Sequence, residues 1–178
     1  MIAIVVVIVA FSIITYNRLI KYRNWIEESF EQISVQLKRR YDLIPNLVNT
    51  VKGFAEHESK TLEKVVQARG QLISGTPQER IEADHEIQGA LKSIFAISEA
   101  HPELKANENF LALQEELTST ENKIAYSRQL YNKTVAEYNI RREKFPTILF
   151  ASMLGFQKHE LLEIPDEVRE VPTVDFSS

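Results

Sequence analysis

The chain has 178 residues, room for one domain with a modest core, and its 44% hydrophobic and 26% charged content is that of a folded protein. The net charge of −4 resides in residues 157–178, where six acids face Lys158 and Arg169; the remainder is balanced, so no nucleic-acid partner is expected. Without cysteine there are no disulfides, thiolate nucleophiles, thiolate zinc sites or lipoprotein attachment, and five glycines with little strand-like alternation predict an all-α protein.

Residues 1–17, MIAIVVVIVAFSIITYN, carry no charged side chain. At ~1.5 Å per residue they reach about 25 Å, and the next three residues bring the run near the ~30 Å hydrocarbon thickness of a bilayer. Arg18 and Lys21 can snorkel, and Tyr16 suits the interface. A cleaved signal peptide would want basic residues before the apolar core and small residues at a cleavage site; no basic side chain precedes the core, and ITYNRLIKYR offers no such site. Residues 1–20 are therefore expected to remain in the lipid bilayer as a transmembrane anchor. Arg18, Lys21 and Arg23 all follow it, which predicts a single-pass cell-membrane protein with its N-terminus outside and its C-terminal body cytoplasmic.

From Ile26 two apolar rows run in heptad register. One is Phe30, Leu37, Ile44, Val51, Glu58, Val65, Leu72; the other is Ile26, Ile33, Arg40, Leu47, Phe54, Thr61, Ala68. A 3.5-residue period sustained this long predicts helices packed along a coiled-coil-like seam. Pro45 interrupts the chemistry without shifting the phase. It cannot donate to the Tyr41 carbonyl and disfavours helical geometry at Ile44, so either Asp42 caps a new helix or one long helix kinks there. The unbroken phase favours the kink.

The segment ends at SGTP. Thr76 reads as an N-cap, Pro77 as the first helical residue and Glu79 as the reciprocal partner in a capping box. A helix to about Ala100 follows, buried through Ile87, Leu91, Ile94 and Phe95, and Asn107 can cap the last long helix. There Phe110, Leu117, Ile124, Tyr131, Tyr138 and Phe145 recur every seven residues, beside the smaller row Leu113, Thr120, Ser127, Thr134, Arg141. Large side chains facing small ones favour close helix approach. TILFASMLGF predicts a short apolar helix ending at Gly155. The whole reads as a 1–20 anchor, a 21–156 antiparallel up-and-down bundle of three or four long helices, and a 157–178 acidic flexible tail.

YNRLIKYRNWIEESFEQISVQLKRRYDLIPNLVNTVKGFAEHE, ELKANENFLALQEELTSTENKIAYSRQLYN, VAEYN and the late FP and GF pairs together resemble the LemA family. The resemblance implies a single N-terminal membrane helix carrying a long antiparallel bundle in the cytoplasm of a bacterial cell. Some relatives are linked to magnetosome membrane formation, and others lie beside membrane-protease genes. It supplies no catalytic residues.

The residues themselves agree in offering no legible chemistry. His57, His85, His101 and His159 are scattered, and the EHE and DHE triplets place adjacent residues on diverging faces, without His-Glu-x-x-His spacing; both triplets read as solvated helix faces. No paired Glu-x-x-His motifs suit a di-metal bundle, and no phosphate-binding glycine loop or nucleophile elbow appears. No catalytic, cofactor-binding or metal-binding residue is assigned, and no enzyme activity is expected. The polar residues Arg40 and Glu58 in the seam, with Glu121, Arg128, Asn132 and Asn139 beside it, read as a hydrogen-bonded network that fixes helix register; Lys38 and Arg39 read as solvent-facing. The expected function is a membrane-anchored helical scaffold. It would form a homo-oligomer through the 26–37 seam, read as outrunning the helices that should cover it. The alternative is an adaptor or regulator of a membrane-bound protease that docks through the acidic tail.

Overall fold

The computed structural model describes residues 1–54 and 59–163, with only the backbone described at Ser59. Among the described residues six α-helices follow in order: α1 Ile2–Val51, α2 Ser59–Arg69, α3 Pro77–Ala100, α4 Pro102–Lys105, α5 Glu108–Glu143 and α6 Thr147–Met153, with a 3₁₀ turn at Gly70–Leu72. Fifty residues make α1 about 75 Å long. Its first part is apolar yet exposed among the described residues, with Ile4, Val5, Val6, Val7, Ile8 and Val9 all open to the surroundings. A helix apolar all round suits a membrane rather than water. This end is long and apolar enough to cross one.

The rest of α1 is the spine of an antiparallel bundle. Tyr22 meets Arg141, Phe30 meets Tyr131, and Arg40 meets Thr120, so α5 descends as α1 rises. α3 runs with α1: Arg80 lies over the Phe30 ring, Asp84 faces Arg40, and His101 neighbours Phe54. α2 folds back between them, placing Arg69 beside Tyr41. The heptad rows mark the buried face, with Ile26, Ile33, Leu37, Ile44, Leu47, Val51, Val65 and Leu72 all in the core. Each such aliphatic side chain contributes about 1.5–3 kcal/mol on burial.

Pro45 neither reverses the chain nor ends the helix; α1 continues to Val51. The carbonyl it leaves without a helical donor, that of Tyr41, accepts instead from Arg69 Nε at 2.8 Å, while the guanidinium stacks 3.7 Å from the Tyr41 ring. One side chain thus repairs the ladder and covers the ring. Arg69→Ala is expected to cost about 1–3 kcal/mol by stranding that carbonyl, and Arg69→Lys, which lacks the planar fork, should recover only part of it. Urea unfolding of the two variants followed by circular dichroism checks this.

Three expectations are corrected. The continuous 26–72 pattern hides a break, because α1 ends at Val51 and Gly53 lies in the turn that follows. The 26–37 seam is not uncovered: α5 is 36 residues long and reaches past it, closing Ile26, Ile33 and Leu37. Phe145, last of the seven-residue row, lies beyond the end of α5 and is exposed, while Phe110, Leu117, Ile124, Tyr131 and Tyr138 are buried.

The predicted caps are present. The Thr76 hydroxyl accepts from Glu79 N at 3.3 Å, Thr76 N donates to the Glu79 carboxylate at 2.6 Å, and Asn107 accepts from Phe110 N at 3.1 Å. Together these satisfy helix-end amides that would otherwise be orphaned.

Candidate functional site

Two polar constellations lie in the bundle. The first centres on Arg40, which heptad spacing places between Ile33 and Leu47 and which is 0% exposed. α3 brings Asp84 to it, 1% exposed, and Arg40 Nη1 donates to Asp84 Oδ1 at 2.5 Å. From α5 the Thr120 hydroxyl accepts from Arg40 Nε at 3.2 Å, and the Leu117 carbonyl accepts from Nη2 at 3.4 Å. Gln88, one turn beyond Asp84, donates to Oδ2 at 2.9 Å. Three helices are therefore pinned at one level by a single guanidinium.

Burial pushes the Asp84 carboxyl above its ordinary value, against the pull of Arg40, Gln88 and the nearby charge of Arg128. Such a pair contributes little net stability compared with apolar packing, but losing one member strands the other. Here the reading of Asp84–His85–Glu86 as a solvated face fails for its first residue. Ile81, Asp84 and Ile87 recur every three residues along α3, which puts the carboxylate on the buried face. That spacing was the available signal.

The other singled-out residues disperse. Lys38 is exposed and pairs with Asp42 at 2.6 Å; Arg39, also exposed, bridges to Glu116 on α5 at 2.5 Å. Glu121 and Arg128 are half-buried, Arg128 within electrostatic reach of Asp84. His85 is half-buried on α3, and His101 sits at the α3–α4 junction. His57 and Glu58 lie outside the described residues. Among the described residues no three His, Asp or Glu side chains gather as a metal site would require.

The second constellation separates Asn132 and Asn139 from the Arg40 network. Residues 157–163, assigned by sequence to the flexible tail, lie along α5 as a strap. Asn139 Nδ2 donates to the His159 carbonyl at 2.8 Å, and its Oδ1 accepts from His159 N at 3.1 Å. Asn132 repeats the pattern on Leu162, with both bonds 2.8 Å long. Two turns of helix span about 10.5 Å, and three extended residues about 10 Å, so the two amides match the backbone in register. Each Tyr-Asn pair divides its labour: Tyr131 and Tyr138 enter the core while the asparagines face the strap.

Tyr138 Oη also donates to the Gln157 carbonyl at 2.8 Å, Arg142 Nε to Phe156 O at 2.9 Å, and Leu162 is buried. Packing along the bundle therefore reaches Leu162, six residues past the expected boundary. Burial, with the charge of Arg23, lowers the His159 pKa against the opposing pull of Glu27. Of the tail acids, Glu160 and Glu163 are exposed on the strap; Asp166, Glu167, Glu170 and Asp175, the core of the proposed adaptor-docking segment, lie outside the described residues.

The LemA family model matches residues 29–176. Protein LemA of Metamycoplasma hominis is 26% identical over 166 residues, covering 87% of this chain and 74% of that protein. Magnetosome protein MamQ 2 of Paramagnetospirillum magneticum is 23% identical over 186 residues, covering 89% and 68% respectively. Magnetosome protein MamQ of Magnetospirillum gryphiswaldense is 25% identical over 172 residues, covering 82% and 63%.

Proposed function

The chain belongs to the LemA family, and from that premise we propose that it is a single-span, membrane-anchored helical scaffold or interaction protein without enzymatic activity, self-assembling at the cytoplasmic face of the membrane. The observation that carries this reading is the continuity of α1. One helix supplies both the exposed apolar end and the spine of the bundle. Whatever the bundle grips is then held at a fixed height above the bilayer rather than on a loose tether.

Arg18, Lys21 and Arg23 support the cytoplasmic placement of the body. Arg40 and Asp84, the most deeply buried ionic groups, are committed to each other, Thr120, Leu117 and Gln88, which supports a structural use rather than a catalytic one. Relatives named as magnetosome proteins support a role tied to a membrane. Because the 26–37 seam is closed within the chain, we assign assembly to another surface. Val35 and Tyr126 are both exposed and line one shallow groove between α1 and α5.

Two measurements test this. On intact cells an impermeant maleimide should label a cysteine placed at Ile2 and spare one placed at Glu115 until the membrane is opened; no native cysteine competes. The reverse pattern would invert the topology. Light scattering in detergent should give a multiple of the chain mass, which Tyr126→Glu reduces to a single chain. A strictly monomeric wild type removes self-assembly from the reading.

A further inference from the structure

Residues 145–157, FPTILFASMLGFQ, contain no ionisable side chain and are bracketed by Lys144 and Lys158. The fold brings them back to the apolar end of α1, with only Ala151 and Phe156 joining the core. The Phe150 ring lies 5.6 Å from that of Phe11, and the Phe156 ring 5.6 Å from that of Tyr16. Arg18 is the first charged side chain of α1. Phe11 precedes it by seven residues, about 10 Å along the helix axis. Thr15 and Leu19 of the anchor, and Ala151 and Phe156 of the returning segment, are buried.

The outer face of this segment is uncovered among the described residues. Phe145 is 81% exposed, Met153 84% and Leu149 58%, with Ile148 and Leu154 also exposed. Cations collect at the opposite end. Arg141 lies 4.7 Å from the Tyr22 ring, Arg142 follows it on α5, Lys144 caps that helix, and Lys21 and Arg23 lie on the adjoining part of α1. The backbone is largely self-satisfied: the amides of Ile148, Leu149, Leu154, Gly155 and Phe156 all bond within residues 144–156. Gly155 closes the turn at a φ of +76°, where a side chain would be strained. Internal satisfaction is what hydrocarbon requires of a peptide segment.

We propose that α6 and its flanks form a second membrane-embedded element, a wedge that enters the cytoplasmic leaflet beside the anchor. Its occupant is lipid acyl chain. Phe145, Leu149 and Met153 face the lipid, Phe150 and Phe156 seal against α1, and Arg141, Arg142 and Lys144 stand at headgroup level. The bilayer is chosen over another protein because the uncovered face continues the lipid-facing surface of the anchor and shares its depth. The inference rests on the reading of residues 1–20 as an anchor, so the test must separate the two.

Trp25 is the chain's single tryptophan. In a Trp25→Phe background of the full chain, tryptophan is placed in turn at Leu149, at Met153, at Val6 in the anchor and at Tyr126 on the bundle. Each variant is reconstituted into phosphatidylcholine–phosphatidylglycerol vesicles with or without acyl-brominated phosphatidylcholine. Leu149→Trp, Met153→Trp and Val6→Trp should lose most of their emission to the bromines and emit at shorter wavelength; Tyr126→Trp should keep its emission in the presence of the bromines. If Val6→Trp is quenched while Leu149→Trp and Met153→Trp are not, the wedge is overturned and the anchor stands. If none is quenched, the anchor reading falls and the wedge with it. Far-ultraviolet circular dichroism of each variant confirms retained helix, and two wedge positions guard against a local defect at either.

Discussion

Arg40→Ala should destabilise the protein by about 3–5 kcal/mol, the largest loss expected from truncating a single polar side chain in the bundle. Arg40 and Asp84 are both within the core, and the two share a 2.5 Å hydrogen bond. Removing the guanidinium leaves a buried carboxylate with Gln88 as its remaining direct donor among the described residues, while the Thr120 hydroxyl and the Leu117 carbonyl lose Arg40 but keep their mutual 2.7 Å bond. Replacing both charged partners is a different experiment. Arg40→Met with Asp84→Leu removes the desolvation cost with the charges, and should come within about 1 kcal/mol of wild type or exceed it. Urea unfolding of the full chain in detergent, followed by circular dichroism, measures all three. A loss below about 1 kcal/mol for Arg40→Ala would mean that the pair is hydrated.

The same variant has a signed pH dependence. Asp84 already has its folded pKa raised above 3.8 by burial, and Arg40 is the strongest of the influences opposing that rise. Without Arg40 the folded value climbs further. Between the unfolded and folded values the native state then binds more protons than the unfolded one, so stability increases as pH falls through that window. The deficit of Arg40→Ala should therefore shrink on acidification, and should be greatest where the stranded carboxylate is fully ionised.

How much of this was legible in sequence depends on how local each cause is. Caps were legible because Thr76, Pro77 and Glu79 act across a single turn. The buried face of α1 was legible because burial repeats with the helix. The end of α1 at Val51 was not, because Phe54, Val65 and Leu72 continue the same apolar phase after the turn, so that one register serves both helices. Pro45 could be seen as a broken hydrogen bond but not as a repaired one, since its substitute donor, Arg69, lies 28 residues from Tyr41. Coverage of the 26–37 seam was misjudged for a related reason. The reach of a covering helix depends on where it docks, and the level at which Arg40, Asp84 and Thr120 meet sets that docking. The strap was hidden by composition: its charged residues, Lys158, Glu160 and Glu163, are exposed, while its attachment runs through backbone groups that every sequence possesses.

That mode of attachment makes the second large effect a local one. The Asn132→Ala/Asn139→Ala double variant deletes four hydrogen bonds to the strap, each worth about 1 kcal/mol, and leaves the backbone groups of His159 and Leu162 to find water. Residues 158–162 should loosen as a unit, because the other hydrogen bonds, from Tyr138 Oη to the Gln157 carbonyl, from Arg142 to the Phe156 carbonyl and from Glu163 N to Gln78, hold only its ends. Amide exchange in the strap should accelerate by up to about a thousandfold while amides around Ile33 and Leu117 keep their protection. Asn139→Asp discriminates further. It retains the acceptor for His159 N but turns a donor into a second acceptor against the His159 carbonyl, so an isosteric change should release the strap nearly as well as truncation. His159 adds a proton-linked component. Its pKa is held below 6.5 by burial and by Arg23, so as pH falls the detached strap is protonated before the docked one. Docking is therefore fully supported above 6.5 and is lost as pH falls through the lowered value. After correction for intrinsic exchange, protection of residues 157–162 should decline on acidification in wild type and not in His159→Gln. A strap equally protected on both sides of that range would show that the imidazole is not desolvated, and that the asparagines hold the backbone without help from the ring packed on Tyr138.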